Sequence, residues 1–532
     1  MTDAPGPALP CRPLPPLAAR TLPAVMARAL ATCPDRIAVQ DTTRALSYAA
    51  LQAEALALAG GLARLGVARQ EAVLLMLDNH ADYVACWLAL GLTARVEVPV
   101  NTAYVGTILA HVINTSGARV MVLDAAHVPA VLAVADALTH LTMLVVRGDM
   151  PADTGRLGAL PYAALPDTPQ PVADVAPQEL MAIMYTSGTT GLSKGVRITH
   201  AHAYGYCTPD LYGACGPGDV SLVLLPLFHI GGQWKGVYNA LIAQATAVVL
   251  PRFSASRFWE DVRQYRVTYT MLLGAMVEFL DRQPARPDDA DHSLRRIVMV
   301  PVIAELDSFK ARFGIPTVST GYGSTEASLV ILSPMGGAEP GRIGWPRPDV
   351  EVRLVDADDH EVPRGAAGEL VVRPREPWVM MAGYHGMPEA TAEAWRNLWF
   401  HTGDMMRQDD RGMFAFVDRA KDALRRRGEN ISSFEVEREI YAHPQVRECA
   451  VVAAASDATE DDILACVVLA PGATLDAPAL HAFLQGRMPR FMVPRYIRLM
   501  DSLPKTPTEK IRKQALRAEG PVPGTFDAEI PR

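Results

Sequence analysis

The period of apolar and polar positions along this 532-residue chain changes repeatedly, and the changes predict its elements. Short apolar runs read as buried strands: VLLMLD (residues 73–78), VEVPVN (96–101), LTMLVV (141–146), VSLVLLP (220–226), TAVVL (246–250) and YTMLL (269–273). Helix-length segments separate them. Residues 22–65 are dominated by helical patterns around a short strand signal at RIAVQD, and HADYVACWLALGL follows VLLMLD. ILAHVINTSGARVMVLD reads as helix, turn and strand. Such alternation predicts an α/β fold with layered, largely parallel sheets. No internal repeat interrupts it.

The texture changes after Gly336. EVRLVDADDHEVPRGAAGELVVR (351–373) alternates as short strands around a turn and predicts a small antiparallel β unit. DRAKDALRRRGEN (418–430) is dense in charge. Beyond it, helix FEVEREIYAHP, strands ECAVVAAA and LACVVLA and helix LHAFLQGRM form a compact α+β pattern. The expected organisation is a flexible tail over residues 1–20, a large domain over 21–418, a boundary at 419–422 and a small domain over 423–532.

The chain is longer than one hydrophobic core usually serves, which supports two or more domains. With 49% hydrophobic and 20% charged residues it has the composition of a soluble globular protein. A net charge of -8 argues against a general nucleic-acid binder, which needs a basic face. Small anionic substrates remain compatible, since local basic loops serve those. Seven cysteines lie scattered without a CxxC pair, so reduced thiols and a cytoplasmic location are expected, with no disulfide or zinc framework. The proline-rich start lacks a charged segment followed by an apolar run, so no signal peptide is expected. Apolar stretches such as YVACWLALGL fall short of the ~20 residues a spanning helix needs.

One stretch stands out chemically. TSGTTGLSKG joins the strand-like runs MAIMY and GVRIT. Its glycines let backbone N–H groups turn inward into an anion-binding concavity. Thr186, Ser187, Thr189 and Thr190 add hydroxyls and Lys194 adds a positive charge, a set suited to polyphosphate. It is not a Walker loop, which would need glycine at Ser193 and Ser or Thr at Gly195. By composition alone it also reads as a surface loop of turn formers.

TSGTTGLSKGV resembles the phosphate loop of the adenylate-forming superfamily, which holds acyl-CoA synthetases, adenylation domains of peptide synthetases and luciferases. Further segments match in the same order: GYGSTE (321–326), GRIGWP (341–346), GYHGMPEAT (383–391), Thr402-Gly403-Asp404, Asp418-Arg419, GENISSFEVE (428–437) and PKTPTEKIRK (504–513). The likeness spans nearly the whole chain after the tail. Within the superfamily, FSASRFWEDVRQYRVTYT (253–270), MVPVIAEL (299–306) and RRRGENISSFEVE (425–437) are most similar to carnitine/crotonobetaine–CoA ligases. Four departures are visible. Ser193 stands where the family usually has proline, Glu509 where it has glycine, and Arg427 where relatives often have glycine. Residues 299–306 are apolar where many relatives carry a glycine-rich loop.

The resemblance implies an AMP-forming acid–thiol ligase. A carboxylate attacks the α-phosphate of ATP and expels pyrophosphate; a thiol then attacks the acyl-adenylate and expels AMP. It implies that Thr186, Ser187, Gly188, Thr189, Thr190, Gly191 and Lys194 hold the β- and γ-phosphates. Gly323, Ser324 and Thr325 belong to the same nucleotide site, with Thr325 at the α-phosphate. Glu326, with Thr186, would hold Mg²⁺. Tyr322 would stack on adenine, Asp404 would accept from the ribose hydroxyls, and Arg419 would reach ribose or phosphate. Lys510 would bridge carboxylate and α-phosphate, with Lys505 as its rival; Lys510, Thr186, Glu326 and Lys194 form the implied catalytic set. His229, Ile230, Gly231, Trp234, Gly321 and Leu329 would line the acyl pocket, although Trp234 could equally pack within a helix.

The resemblance implies that the small domain is mobile and rotates about a hinge at Lys421 between the two half-reactions. Lys510 would then leave, and Arg427 and Gly428 would approach the pantetheine of CoA. Only 22 residues (532 − 510) follow Lys510, too few for a carrier domain, so free CoA is the expected acceptor. A separate carrier protein, or a catalytically silent nucleotide-binding regulator, are the alternatives. The residues leave open the identity of the carboxylic acid and the oligomeric state, with a homodimer among the options. No nucleic-acid partner and no membrane span are expected.

Overall fold

The structure, a computed structural model, describes residues 13–186, 193–211, 215–419, 424–426, 429–431, 433–454, 462–485, 487–488, 492–506 and 510–528. Two seven-stranded sheets dominate the large N-terminal part. In the first, the order is Gly158–Pro161, Met143–Arg147, Val120–Asp124, Ala72–Met76, Val96–Pro99, Leu180–Thr186 and Lys194–Thr199. Its pairings are parallel except the last, which is antiparallel. In the second, the order is Thr317–Ser319, Arg296–Val300, Tyr269–Leu273, Val220–Val223, Thr246–Val249, Ile37–Gln40 and Ala45–Ser47. Again only the final edge pair is antiparallel.

The apolar runs are continuous because each strand is covered on both faces. Side chains alternate between faces, so neighbours enter different cores. Val73 and Leu75 join the core between the sheets, while Leu74 and Met76 join the outer core of the first sheet. In the second sheet Val223, Ala247 and Val249 share that central core, whereas Leu222 and Val248 pack outward with Phe258, Phe309 and Phe313. The helix Ala81–Leu92 lies in the central layer and buries every residue but Asp82. That placement explains its all-round apolar surface. Among the described residues, no helix is long and apolar enough to cross a membrane.

The stretch after Gly336 forms an antiparallel meander of Val350–Val355, Ala367–Pro374, Phe400–Gln408 and Phe414–Arg419. The last strand leads to the small C-terminal unit, where the Asp418 carboxylate accepts the Ser433 N–H at 2.6 Å. That unit holds a four-stranded sheet of Val446–Ala454, Asp462–Leu469, Tyr496–Leu499 and Phe526–Asp527. Helices Ser433–Tyr441 and Ala477–Gln485 contribute Val436, Ile440, Leu480 and Leu484 to one core, and Leu516 of Lys513–Glu519 to the other. The expected α/β layers, β unit and C-terminal α+β unit are all present.

Two features differ from the sequence reading. Ala45–Ser47 is an edge strand, too short to leave a periodic signal. Residues 14–20 are docked instead of forming a flexible tail. Leu14 packs on the central core, and Arg20, 2% exposed, donates to the Pro15 carbonyl and pairs with Glu376. A buried guanidinium with two such partners fixes the chain there.

Candidate active site

The phosphate side is built at the antiparallel edge of the first sheet. Thr186 ends one strand, Lys194 begins the next, and the two are register partners. Ser187, Gly188, Thr189, Thr190 and Gly191 lie outside the described residues. Ser193 is 8% exposed, and its carbonyl sits 2.9 Å from His111 Nε2, which anchors the loop's end without the proline common in the family. Beyond Lys194, the backbone of residues 382–385 adds itself to the edge: Arg197 N–H donates to Gly383 O at 3.0 Å and His385 N–H to Gly195 O at 2.7 Å. This pairing places the Tyr384 ring under Lys194, with Nζ 4.7 Å from the ring centroid. The Tyr384 hydroxyl donates to Glu326 Oε1 at 3.2 Å. Burial pushes the Glu326 carboxyl upward in pKa, while hydrogen bonds from Tyr384 and Ser324 and the Lys194 charge oppose it.

The nucleoside side follows directly in the chain. Gly321–Ser324 pairs antiparallel with Ser328–Leu332, with an irregularity between Tyr322 and Gly323. Gly323 is required by close approach, because an added Cβ would stand 2.3 Å from the Ser328 carbonyl oxygen. Thr325 and Glu326 form the turn. Tyr322 donates its phenol proton to Asp404 Oδ2 across 82 residues of sequence. Asp404 is held by its own N–H to Thr402 Oγ1 at 3.1 Å and is the register partner of Arg419. The expected ring platform and ribose acceptor are therefore neighbours.

On the acyl side, residues 231–238 form a π-helix, a rare form frequent at functional sites. Gly232 packs tightly, since a Cβ would lie 2.3 Å from the carbonyl oxygens of Leu225 and Pro226. His229 precedes it, next to Ile230 and Gly231. Burial, and then the charge of Lys510, bring the His229 pKa down to about 4. The charge of Lys510, carried by the C-terminal unit, is thus felt at His229. Its backbone is held in a turn by Thr506 N–H donating to Lys510 O at 2.7 Å and Lys510 N–H to Thr506 Oγ1 at 3.2 Å. Its rival Lys505 is engaged elsewhere, 2.8 Å from Glu448. A cavity of about 70 Å³ is lined by Gly321, Gly323 and Leu329 together with Tyr206, Lys235 and Val300. Trp234, expected as a lining residue, is fully buried in the central core, its ring edge-on to Tyr206 at 5.8 Å. Its neighbour Lys235 faces the cavity instead.

Residues 26–385 match the AMP-binding enzyme family, and residues 435–510 match the AMP-binding enzyme C-terminal domain. The chain belongs to this family. It is 32% identical to the crotonobetaine/carnitine–CoA ligase of Salmonella heidelberg (strain SL476), over 89% of this chain and 93% of that one. Among solved structures, ATP-bound MatB from Rhodopseudomonas palustris superposes with a TM-score of 0.81 at 26% identity, covering 93% of this chain and 98% of that chain. A benzoate CoA ligase from Burkholderia xenovorans LB400 gives 0.81 at 25% identity, covering 93% and 99%.

In this AMP-binding enzyme, the described residues bring together Thr186 with Lys194, Lys194 with Tyr384 and Glu326, Tyr322 with Asp404, and Lys510 with His229. The Arg419 side chain, Lys421, Arg427 and Gly428 lie outside the described residues. Two neighbours escaped sequence reasoning. Tyr384 had a signal, its place in GYHGMPEAT, but no assigned role. Lys235 had none, because one lysine inside QWKGVYN looks like surface charge. A partly desolvated carboxylate (Glu326) and a hydroxyl (Thr186), both near one lysine, are hard oxygen donors that suit Mg²⁺.

Proposed function

We infer that this AMP-binding enzyme is an ATP-dependent acyl-CoA ligase that forms an acyl-adenylate and transfers the acyl group to CoA, releasing pyrophosphate and AMP. The observation that carries the reading is a cavity bounded by Gly321 and Gly323, which flank the Tyr322–Asp404 pair, together with the Lys510 charge felt at His229. Acyl carbon and nucleotide phosphate would meet there. Adenylation gathers negative charge at phosphorus, so positioned cations and donors lower its barrier. Lys194 and the loop 186–191 would hold the outer phosphates. Lys510 would bridge the attacking carboxylate and the α-phosphate. Tyr322 would carry adenine, Asp404 the ribose hydroxyls, and Arg419 ribose or phosphate.

Mg²⁺ would be held by Glu326 and Thr186, where it would neutralise charge on the departing pyrophosphate. Tyr384 positions Glu326 and Lys194 for that task. His229, neutral at pH 7, would border the acid without competing for its charge. Domain limits near residues 419–422 and a hinge at Lys421 fit the step from the β meander to the C-terminal unit. Rotation there would withdraw Lys510 and admit Arg427 and Gly428 towards CoA, a reaction suited to the cytoplasm, where ATP and CoA are supplied.

The purified chain, incubated with ATP, Mg²⁺ and a carboxylic-acid panel, should give AMP and acyl-CoA by mass spectrometry, with thioester only when CoA is present. AMP with acyl-adenylate but no thioester would redirect the acceptor to a carrier protein. No AMP with any acid would overturn the ligase reading.

A further inference from the structure

Resting on the ligase reading, we propose that Lys235 makes the acyl cavity a receptor for a short acid with a second, distal carboxylate, not for the quaternary ammonium acids named in the curated relatives. Lys235 lines the cavity and is 3% exposed. It is supplied by the interior π-helix, whereas Gly321 and Gly323 at the nucleotide side are partly exposed. The cation therefore sits at the inner end, away from the adenylate. Successive helical side chains diverge. Trp234 enters the core against Tyr206 and His202, and Lys235 turns to the cavity with Nζ 5.6 Å from the Tyr206 ring centroid.

A second cation and a buried thiol act on Lys235 at this end. Arg347, 2% exposed, is committed to Asp349 and to the carbonyls of Gly205 and Leu329. The Cys207 thiol is neutral, because burial raises its pKa far above the ordinary value. Among the described lining residues none is a carboxylate. A distal ammonium would face a like charge in a dry cavity, while a distal carboxylate would gain a charge-assisted hydrogen bond. Size agrees with a short acid. At 10–15 Å³ for each water-sized group, about 70 Å³ holds roughly five to seven such groups. Succinate extends about five non-hydrogen atoms beyond its reacting carboxyl, and glutarate about six.

The test uses the full chain with ATP, Mg²⁺ and CoA, and compares succinate and glutarate with butyrate, valerate and crotonobetaine. The wild type is expected to favour the dicarboxylates about 100-fold in kcat/KM over their uncharged counterparts. Lys235→Met should lose that preference and gain on butyrate or valerate, a gain that also proves the variant folded. Lys235→Arg should keep a dicarboxylate preference. Equal use of uncharged acids or crotonobetaine by the wild type, or an unchanged preference in Lys235→Met, would overturn the proposal while leaving the ligase reading intact. Absence of acyl-CoA from every acid would overturn both.

Discussion

Replacing Lys510 by methionine keeps the length of the side chain and removes its charge. The turn that holds residue 510 is made by backbone groups and the Thr506 hydroxyl, so it survives the change. His229 cannot substitute as a cation, since its pKa of about 4 leaves it neutral at pH 7. Removing one charged donor from the developing charge of adenylation costs about 3–4 kcal/mol, or 10²–10³ in rate. Thioester formation from supplied acyl-adenylate should change less than about twofold, because Lys510 serves only the first half-reaction. Lys505→Met is the control: a partly exposed ion pair with Glu448 is worth about 0–1 kcal/mol, so adenylation should stay within about fivefold. Single-turnover assays of the two half-reactions separate these outcomes. A readout free of activity is the His229 titration, which should move upward in Lys510→Met yet stay below 6.5 because burial remains its first cause. Normal adenylation by Lys510→Met, or a larger loss in Lys505→Met, would refute the assignment.

Burial brings the Lys235 pKa down to about 7. Burial raises Cys207, Tyr206 and Tyr238 and lowers His202 to about 3, so none of these titrates near neutrality beside Lys235. For a dicarboxylate, kcat/KM should be flat just below pH 7 and fall about tenfold per unit above it, a fall absent in Lys235→Met. Glu97 is fully buried, accepts from Tyr83 and Gln233, and is raised by burial to about 8 from an ordinary 4.5. Between those values the folded chain keeps a proton the unfolded chain releases, so stability falls as pH rises through this window, by roughly 3–5 kcal/mol in all. Glu97→Gln should flatten that slope in denaturant titrations from pH 5 to 8. Asp404→Ala should raise the KM for ATP about 10–100-fold by losing charge-assisted bonds, whereas Tyr322→Phe, which keeps the ring, should change it less than tenfold. Arg347→Met leaves the Asp349 carboxylate and two carbonyls without their donor and should cost about 3–5 kcal/mol in denaturant unfolding.

The layered fold was legible because buried parallel strands write themselves as short apolar runs, and VLLMLD, TAVVL and YTMLL each became one. TSGTTGLSKG reads as an anion site through its glycines and hydroxyls, and of it only Thr186 and residues 193–195 are among the described residues. Tyr322 and Asp404 came from ordered motifs, and the structure joins them by a hydrogen bond. Lys235 was not legible, because burial of a lysine depends on which way a π-helix turns between two sheets, and no local pattern encodes that. Trp234, for which lining and packing both stood open, packs by the same register: the turn that sends it into the core aims its neighbour at the cavity. Tyr384 works through strand addition to residues 195–197, a contact made across nearly two hundred residues. The docking of Arg20 on Glu376 is likewise long-range, so a proline-rich start looked loose.

The central claim is that this chain activates a carboxylate by joining it to AMP. The most direct measurement gives the enzyme an acid labelled with ¹⁸O in its carboxyl group, with ATP, Mg²⁺ and CoA, and locates the label. The account predicts one labelled oxygen in the phosphate of AMP and none in pyrophosphate, because the carboxylate oxygen that attacks the α-phosphorus leaves with AMP when CoA takes the acyl group. Label in inorganic phosphate with ADP as co-product, or acyl-CoA formed without label in AMP, would contradict it.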